Sequence, residues 1–446
     1  MNMSISKKAM RAALSLAAVS VIATSVAAVS PAQAATASCA GVGTYAKQAG
    51  ATVEIFNSVI GQENARYQAA LIPFQNCTGI TINWNGTNEF ESQLGVRVQG
   101  GTAPDIAMIP QPGLLAKMVA TGKVVKAPAT TLANVNKYWS AGWKGYGTVN
   151  GVFYAAPNSA NNKSLVWYSP KQFKKFGYTV PTTWKEMMSL SDKMAAKGQI
   201  AWCGGLGSGT ATGWPGTDWL EEIVLRTQGA QTYADWISHK VKFSDPKIIA
   251  AFDQLASWMK NPKYVGDVSA IATTTFQNAG MGIPTAKCMM LQQASFYAAQ
   301  YPATVKVAPT GDVWAYYLPG INPAVKTPVE GGGEFFAAFN SKAATQEVQN
   351  YLSSPEWAKA RIAAAGPAGG WLSANNGVPL SAYTNGLDAL SAKYLADKNS
   401  TFVFDGSDAM PAAVGAGSMW TELTNWFTGK STADVASAID ASWPAA

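Results

Sequence analysis

Three sets of residues in this chain have the types and spacings to do chemistry. Carboxylates stand in close pairs at Glu89 and Glu91, Asp218 and Glu221, and Asp405 and Asp408. Two carboxyls flanking a sugar–sugar bond are the machinery of glycoside hydrolysis. Spacing along a chain does not set the separation of two carboxyls across a cleft, and most such pairs are surface or capping groups. A Ser–His–Asp triad would have to use His239, the one histidine, in Trp236-Ile-Ser-His-Lys240 just before a helix start. No G-x-S-x-G elbow accompanies it, and Gly207-Ser208-Gly209 is not that motif, so His239 reads as structural or exposed. The glycine-rich run from Cys203 to Gly213 lacks the Gly-Lys-Ser/Thr ending of a phosphate loop. Flexible backbone that lets a neutral polar ligand approach closely fits this run better.

The aromatic residues say more. Sixteen tryptophans are spread along the chain, several beside Asn, Asp, Gln or Gly. A sugar ring has apolar C–H faces and a polar rim, so a site for it combines aromatic plates with amide and carboxylate partners. Core packing is the alternative for each ring. Trp184 and Trp258, inside helical patterns, read as core, whereas Trp214, Trp219, Trp371 and Trp420, next to turns or small residues, read as cleft residues.

Composition narrows the function classes. The chain has 446 residues, 48% hydrophobic and 13% charged, which excludes wholesale disorder and suggests two or three domains. One His and four Cys argue against zinc enzymes and most histidine catalysis, and no metal or cofactor is expected. Lys7, Lys8 and Arg11, an apolar run over 12–29 and Ala32-Gln33-Ala34 form a secretory signal peptide over 1–34. Its removal leaves 30 basic against 26 acidic residues, scattered without a basic run, so no nucleic-acid partner is expected. Export makes two disulfides the natural use of Cys39, Cys77, Cys203 and Cys288, with three possible connectivities. Lipidation of Cys39 is the weaker alternative, because Thr36-Ala37-Ser38 lacks the large aliphatic residue usual there.

The elements that must position these residues are legible by period. Thr52 to Phe56, Ile80 to Trp84 and Ile106 to Ile109 read as strands, separated by helical stretches. The first helix shows Tyr67, Leu71 and Phe74 on one face and Gly79 at its stop; the second runs from Asn88 through Val98. That alternation predicts a mostly parallel α/β sheet, with ligands outside the carboxyl ends of its strands, where Asn57, Ser58, Gly86, Asn88 and Pro110-Gln111-Pro112 lie. Further strands are expected at Val152 to Ala156, Leu165 to Tyr168, Met289 to Leu291 and Phe335 to Phe339. Thr183 to Glu186 is a capping box, and Asp245-Pro246 starts another helix. Gly/Pro breaks near 157, 331 and 369 split the chain into four blocks, as two lobes with three crossings would require.

Longer motifs carry a family resemblance. They are Phe74-Gln-Asn-Cys-Thr-Gly-Ile80, Pro104-Asp-Ile-Ala-Met-Ile-Pro-Gln-Pro-Gly-Leu114, Lys163-Ser-Leu-Val-Trp-Tyr168, Trp202-Cys-Gly-Gly205 and Thr212-Gly-Trp-Pro-Gly-Thr-Asp-Trp219. Gly331-Gly-Gly-Glu-Phe335 and Asp408-Ala-Met-Pro-Ala-Ala-Val-Gly415 complete the set. With these the whole mature chain resembles the extracellular solute-binding proteins of carbohydrate ABC importers, in particular their α-glucoside-binding branch.

The resemblance implies a maltose-binding-like, two-lobed α/β fold with three hinge crossings and a ligand cleft between the lobes. Lobe 1 is expected over 35–157 and 331–370, and lobe 2 over 158–330 and 371–446. It implies a non-enzymatic, monomeric receptor that takes up an α-glucoside, a disaccharide or short oligosaccharide, and delivers it to membrane ABC permease subunits. Trp420 stands ten residues after Met410-Pro411, the spacing of a sugar-stacking tryptophan in distant relatives. Gln111 aligns with a sugar-contacting loop, and Trp214, Asp218 and Trp219 fall in the second lobe's contact region. The other expected ligand-binding residues are Asn57, Asn88, Glu89, Phe296, Glu334, Trp371 and Asp408. Ile109 and Asn57-Ser58 depart from the relatives' usual aromatic and acidic residues at those places. The expected disulfides are Cys39–Cys77 and Cys203–Cys288, neither of which crosses the hinge. The rival readings are a secreted glycoside hydrolase and a sugar sensor or adhesion protein with no transport role.

Overall fold

Apolar strands alternating with amphipathic helices build the first part of the fold. In the computed structural model, which describes residues 36–445, strand β1 (Thr52–Asn57) leads into helix α1 (Gly61–Thr78). Strand β2 (Thr81–Gly86) leads into α2 (Phe90–Gln99), and β3 (Ile106–Ile109) into α3 (Pro112–Ala120). The expected signal peptide lies outside the described residues. Helix α1 buries Tyr67, Leu71 and Phe74 and stops at Gly79, whose φ of 75° suits glycine and lets its N–H reach the Gln75 carbonyl. The chain continues through β4 (Ala155–Pro157), β5 (Asn161–Asn162) and β6 (Leu165–Tyr168). Next come α4 (Trp184–Ala196), α5 (Trp214–Ile237), α6 (Pro246–Met259), β7 (Met290–Gln292) and β8 (Trp314–Tyr317). The last part holds β9 (Pro328–Gly332), β10 (Phe335–Ala338), α7 (Pro355–Ala365), β11 (Thr401–Phe404), α8 (Trp420–Phe427) and α9 (Thr432–Ala441).

Five strands form the largest sheet, in the order β2-β1-β3-β10-β4. The β1 pairings are parallel, but β10 runs antiparallel to both β3 and β4. The sheet expected to be mostly parallel is therefore mixed, because its fourth strand arrives from β9 after a long excursion through the rest of the molecule. Strand alternation sends Ile55 into an apolar cluster with Phe74, Trp84 and Trp357 on one face, and Phe56 into another with Phe90, Leu94 and Trp143 on the opposite face. Trp371, Leu372 and Tyr383 pack in the first of these clusters.

A second sheet has β6 at its centre, antiparallel to β7 and β8. Val166 points into a large cluster with Trp202, Trp219, Trp258 and Trp426, while Leu165 and Trp167 face Tyr297 and Ala315. A third sheet, β11-β9-β5, lies between the chain's main excursions. Its strand β9 includes Gly331 and Gly332, so this glycine run continues a strand where a break was expected. A Cβ at Gly331 would lie 2.6 Å from the Asn161 carbonyl oxygen, so the close pairing of β9 with β5 requires glycine there. The Thr183–Glu186 capping box and the Asp245 cap on α6 form as expected. Among the described residues no helix is long and apolar enough to cross a membrane.

Both disulfides have the expected pairing. Cys39 and Cys77 stand 6.0 Å apart at Cα, and Cys203 and Cys288 5.4 Å apart. The second closes a loop with a sequence separation of 85, for which the chain-entropy model gives about 4–5 kcal/mol. The double variant Cys203→Ser/Cys288→Ser is expected to lose about 2–5 kcal/mol of stability, measured by urea unfolding. An unchanged midpoint would mean that this loop is already restricted without the bond.

Candidate binding cleft

The loops at the carboxyl ends of β1, β2 and β3 form one wall of a cleft. They contribute Ser58 to Ile60, then Asn88, with Glu91 on the first turn of α2, then Pro110 and Gln111. The glycine-rich run and the start of α5 contribute Ser208, Ala211 and Trp214 to the lining, and two later short helical turns bring Phe276 and Phe296. Glu334, Trp371, Asp405, Asp408 and Trp420 complete it. The enclosed space is about 1170 Å³, including the part open to solvent, enough for a small-molecule ligand.

Glycines allow the walls to come this close. A Cβ on Gly213, whose φ is 114°, would lie 2.1 Å from the Trp420 carbonyl oxygen. One on Gly209 would lie 2.7 Å from the Asn88 carbonyl oxygen, so the glycine-rich run packs directly against the β2–α2 loop. The aromatic plates are ordered by contact with each other. Trp214 meets Phe276 edge-on at 5.0 Å and Phe296 at 6.0 Å, and the Trp371 indole N–H donates to the Tyr67 hydroxyl at 2.9 Å. Trp420 follows a π-helical turn over Val414–Met419, a local widening common at functional sites. Among the described residues of the lining, two buried polar atoms lack a hydrogen-bond partner, the Trp420 indole Nε1 and Gln111 Oε1. A donor and an acceptor left open in this way suit a ligand with hydroxyl groups.

A buried charge cluster starts at the lining with Lys163, Asp405 and Asp408 and continues behind it with Asp218 and Glu330. The Lys163 ammonium donates to Asp218 at 2.7 Å and to Asp405, and sits 5.5 Å from the Trp214 ring. Burial works against this charge, but Asp218, Asp405, Asp408 and Glu330 outweigh it and push the lysine pKa well above its usual value. Asp405 is the group that gains: despite burial, Lys163 holds its carboxyl below the usual range. Burial, with Asp405 beside it, pushes Asp218 up to about 8. Burial likewise pushes Glu334 up to about 8 and raises Asp408, Glu63 and Glu91. Asp218, Glu330 and Asp405 each bring a carboxylate oxygen within 4.8 Å of the others, the spacing of a cation's ligands, and Lys163 supplies a cation there. Polar and charged groups thus surround the space that the aromatic rings leave. This arrangement can orient and enclose a polar ligand.

Eight of the twelve expected ligand-binding residues line the cleft: Trp420, Gln111, Asn88, Trp214, Phe296, Glu334, Trp371 and Asp408. Four are placed elsewhere. Asn57 is buried, donating to the Ile55 and Asn85 carbonyls and accepting from the Val59 N–H, so it shapes the turn after β1. Glu89 is the residue before α2. Asp218 stands behind the lining as the partner of Lys163, and Trp219 points into the core against Phe427. The two neighbours Asp218 and Trp219 lie on the first turns of α5, which turn them away from the cleft that Trp214 lines. Lys163, Phe276 and Gln277 are lining residues that sequence reasoning did not single out. Lys163 had a signal, an ammonium two residues before the apolar run Leu165–Tyr168, whereas Phe276 and Gln277 had none.

Residues 49–359, more than half of the chain, match the model of the bacterial extracellular solute-binding protein family. The chain belongs to that family. It is 35% identical over 414 residues to the osmoprotective compounds-binding protein GgtB of Synechocystis, covering 91% of this chain and 96% of the relative. It is 33% identical over 411 residues to the alpha-glucosides-binding periplasmic protein AglE of Rhizobium meliloti, covering 88% and 87%. Its fold is similar to that of the bacterial solute receptor AcbH, with a TM-score of 0.75 at 20% identity over 88% of this chain and 98% of that one. The receptor therefore has the two-lobed α/β fold of these proteins, works outside the cytoplasmic membrane and is not an enzyme, which sets aside the glycoside hydrolase reading.

Proposed function

We propose that this receptor captures an α-linked glucoside, a disaccharide or short oligosaccharide, and delivers it to the permease subunits of an ABC importer. The observation that carries the reading is the cleft lined by Trp214, Trp371 and Trp420, with the Trp420 Nε1 and Gln111 Oε1 atoms left open beside carboxylates. Indole plates match the apolar faces of pyranose rings, and the polar atoms match their hydroxyls. The printed name of AglE supports α-glucosides as the class. The name of GgtB, 35% identical, favours a second reading in which the ligand is an osmoprotective compound.

Capture works by population shift. The receptor acts as a monomer whose two lobes close on the ligand. Contacts made only in the closed state pull the equilibrium toward it, and a full shift needs roughly 5.5 kcal/mol of differential binding. A few buried hydrogen bonds and one or two stacked indoles supply that order. The test is calorimetry with maltose, trehalose, sucrose and monosaccharide controls, followed by recovery of the sugar and by X-ray scattering. We expect saturable binding of an α-glucoside, recovery of the sugar intact, and a smaller radius of gyration when bound. Binding of none of the glucosides at millimolar concentration overturns the reading.

A further inference from the structure

Charge on the cleft wall is one-sided. Among the described residues that line it, Lys163 is the one Lys or Arg, and its ammonium is taken up by Asp218 and Asp405. Three lining carboxyls, Glu91, Glu334 and Asp408, belong to none of the ion pairs found among the described residues. Glu91 accepts from the Gln111 side-chain amide at 3.2 Å, and Glu334 from the Ser159 hydroxyl. The Gln111 Oε1 on the other side of the same amide is a buried acceptor without a donor. Trp214 and Phe296, with ring centroids 6.0 Å apart, line the same cleft. Among the described residues that line it, the wall thus offers carboxyls and aromatic rings and no unpaired Lys or Arg, and the buried Arg361 behind Glu334 is paired with Glu63 at 3.7 Å.

We infer that the cleft takes a glycoside bearing a protonated amine, an amino sugar or a ring-nitrogen sugar analogue, in preference to the neutral sugar of the same size, and rejects one bearing a phosphate or carboxylate. The inference rests on the reading of the cleft as a glycoside site. An ammonium has only donors to offer, which is what unpaired carboxyls and an orphan carbonyl lack. Its hydrogen bonds to carboxylates are roughly twice as strong as neutral ones, and indole faces add cation–π attraction. An anionic substituent meets the opposite: a desolvated charge with no counter-ion. Burial holds Glu334, Glu91 and Asp408 toward their protonated forms, so an arriving ammonium displaces a proton to solvent and pairs with the carboxylate left behind.

The test uses the mature chain and two matched sets at pH 7 and constant salt. One set is trehalose, trehalosamine and trehalose 6-phosphate. The other is maltose, its 1-deoxynojirimycin counterpart and maltobionate. In the set that binds, the amine is expected to bind at least tenfold tighter than its neutral parent, and the anion at least tenfold weaker. In Glu334→Gln the amine's advantage over the parent is expected to shrink at least threefold. An amine that binds no tighter than a neutral parent that does bind, or an anion that binds best, overturns this inference and leaves the glucoside reading standing. Binding by the amines alone supports the inference and sinks the neutral-glucoside reading, and binding by no probe overturns both. The comparison on the native chain stands even if the variant fails to fold.

Discussion

Replacing Lys163 with methionine is expected to destabilise the fold by about 3–5 kcal/mol at pH 7, because it leaves buried carboxylates without their cation. The lysine side chain is 5% exposed and those of Asp218 and Asp405 are 3%. The cluster is also a junction. Lys163 lies in the link between β5 and β6, Asp218 on α5, and Asp405 just after β11, where it accepts from the Ser407 hydroxyl at 2.9 Å and the Asp408 N–H at 2.8 Å. Methionine keeps the length and apolar stem of lysine, so the change isolates the charge. The pH dependence has a definite sign. Asp405 has a lowered pKa in the folded chain, so its contribution is present above the unfolded value of about 4 and is lost as pH falls through the lowered folded value. The variant's deficit should therefore be largest near neutrality and shrink in acid. Urea unfolding of both proteins at pH 7 and pH 3.5 measures this. Equal stability at pH 7 would show that the carboxyls carry protons and need no ammonium.

The second large effect is on binding. Trp420→Ala is expected to weaken binding of the sugar at least tenfold while leaving the melting temperature of the free protein nearly unchanged. Trp420 is only 3% exposed, so burial alone would suggest a core role. Its helical neighbours show otherwise. Met419, Leu423, Trp426 and Phe427 all belong to the large apolar cluster, and Trp420 belongs to none of the four clusters. Protein atoms cover most of the ring, but it lines the cleft and its indole N–H is unpartnered. Trp426→Ala is the matched control on the same helix. That ring is fully inside the core against Phe252, and its loss should cost about 3–5 kcal/mol of stability. Calorimetry and thermal melts on both variants separate the roles, since each 1.4 kcal/mol of binding is one decade in Kd. A Trp420→Ala protein that melts far earlier yet binds normally would return this ring to the core.

The sequence by itself determined the local elements and the parts of the site attached to them. Helix α1 with its Gly79 stop, the Thr183–Glu186 capping box and the first three strands follow from period and caps, because those signals act over a few residues. The loops after those strands placed Asn88 and Gln111 on the cleft for the same reason: the carboxyl end of a strand is a local property once the strand is known. Tertiary structure decided what depends on direction and on partners distant in sequence. It made the main sheet mixed, because β10 returns antiparallel to β3 from more than two hundred residues away. It turned Gly331 from a chain break into a strand residue, through the carbonyl of Asn161 packed against it. It sent Trp219 into the core and left Trp214, five residues earlier on the same helix, at the cleft, a difference of helix azimuth that composition does not encode. It also gave Lys163 its place, because an ammonium can be buried only where Asp218 and Asp405, brought from distant segments, neutralise it.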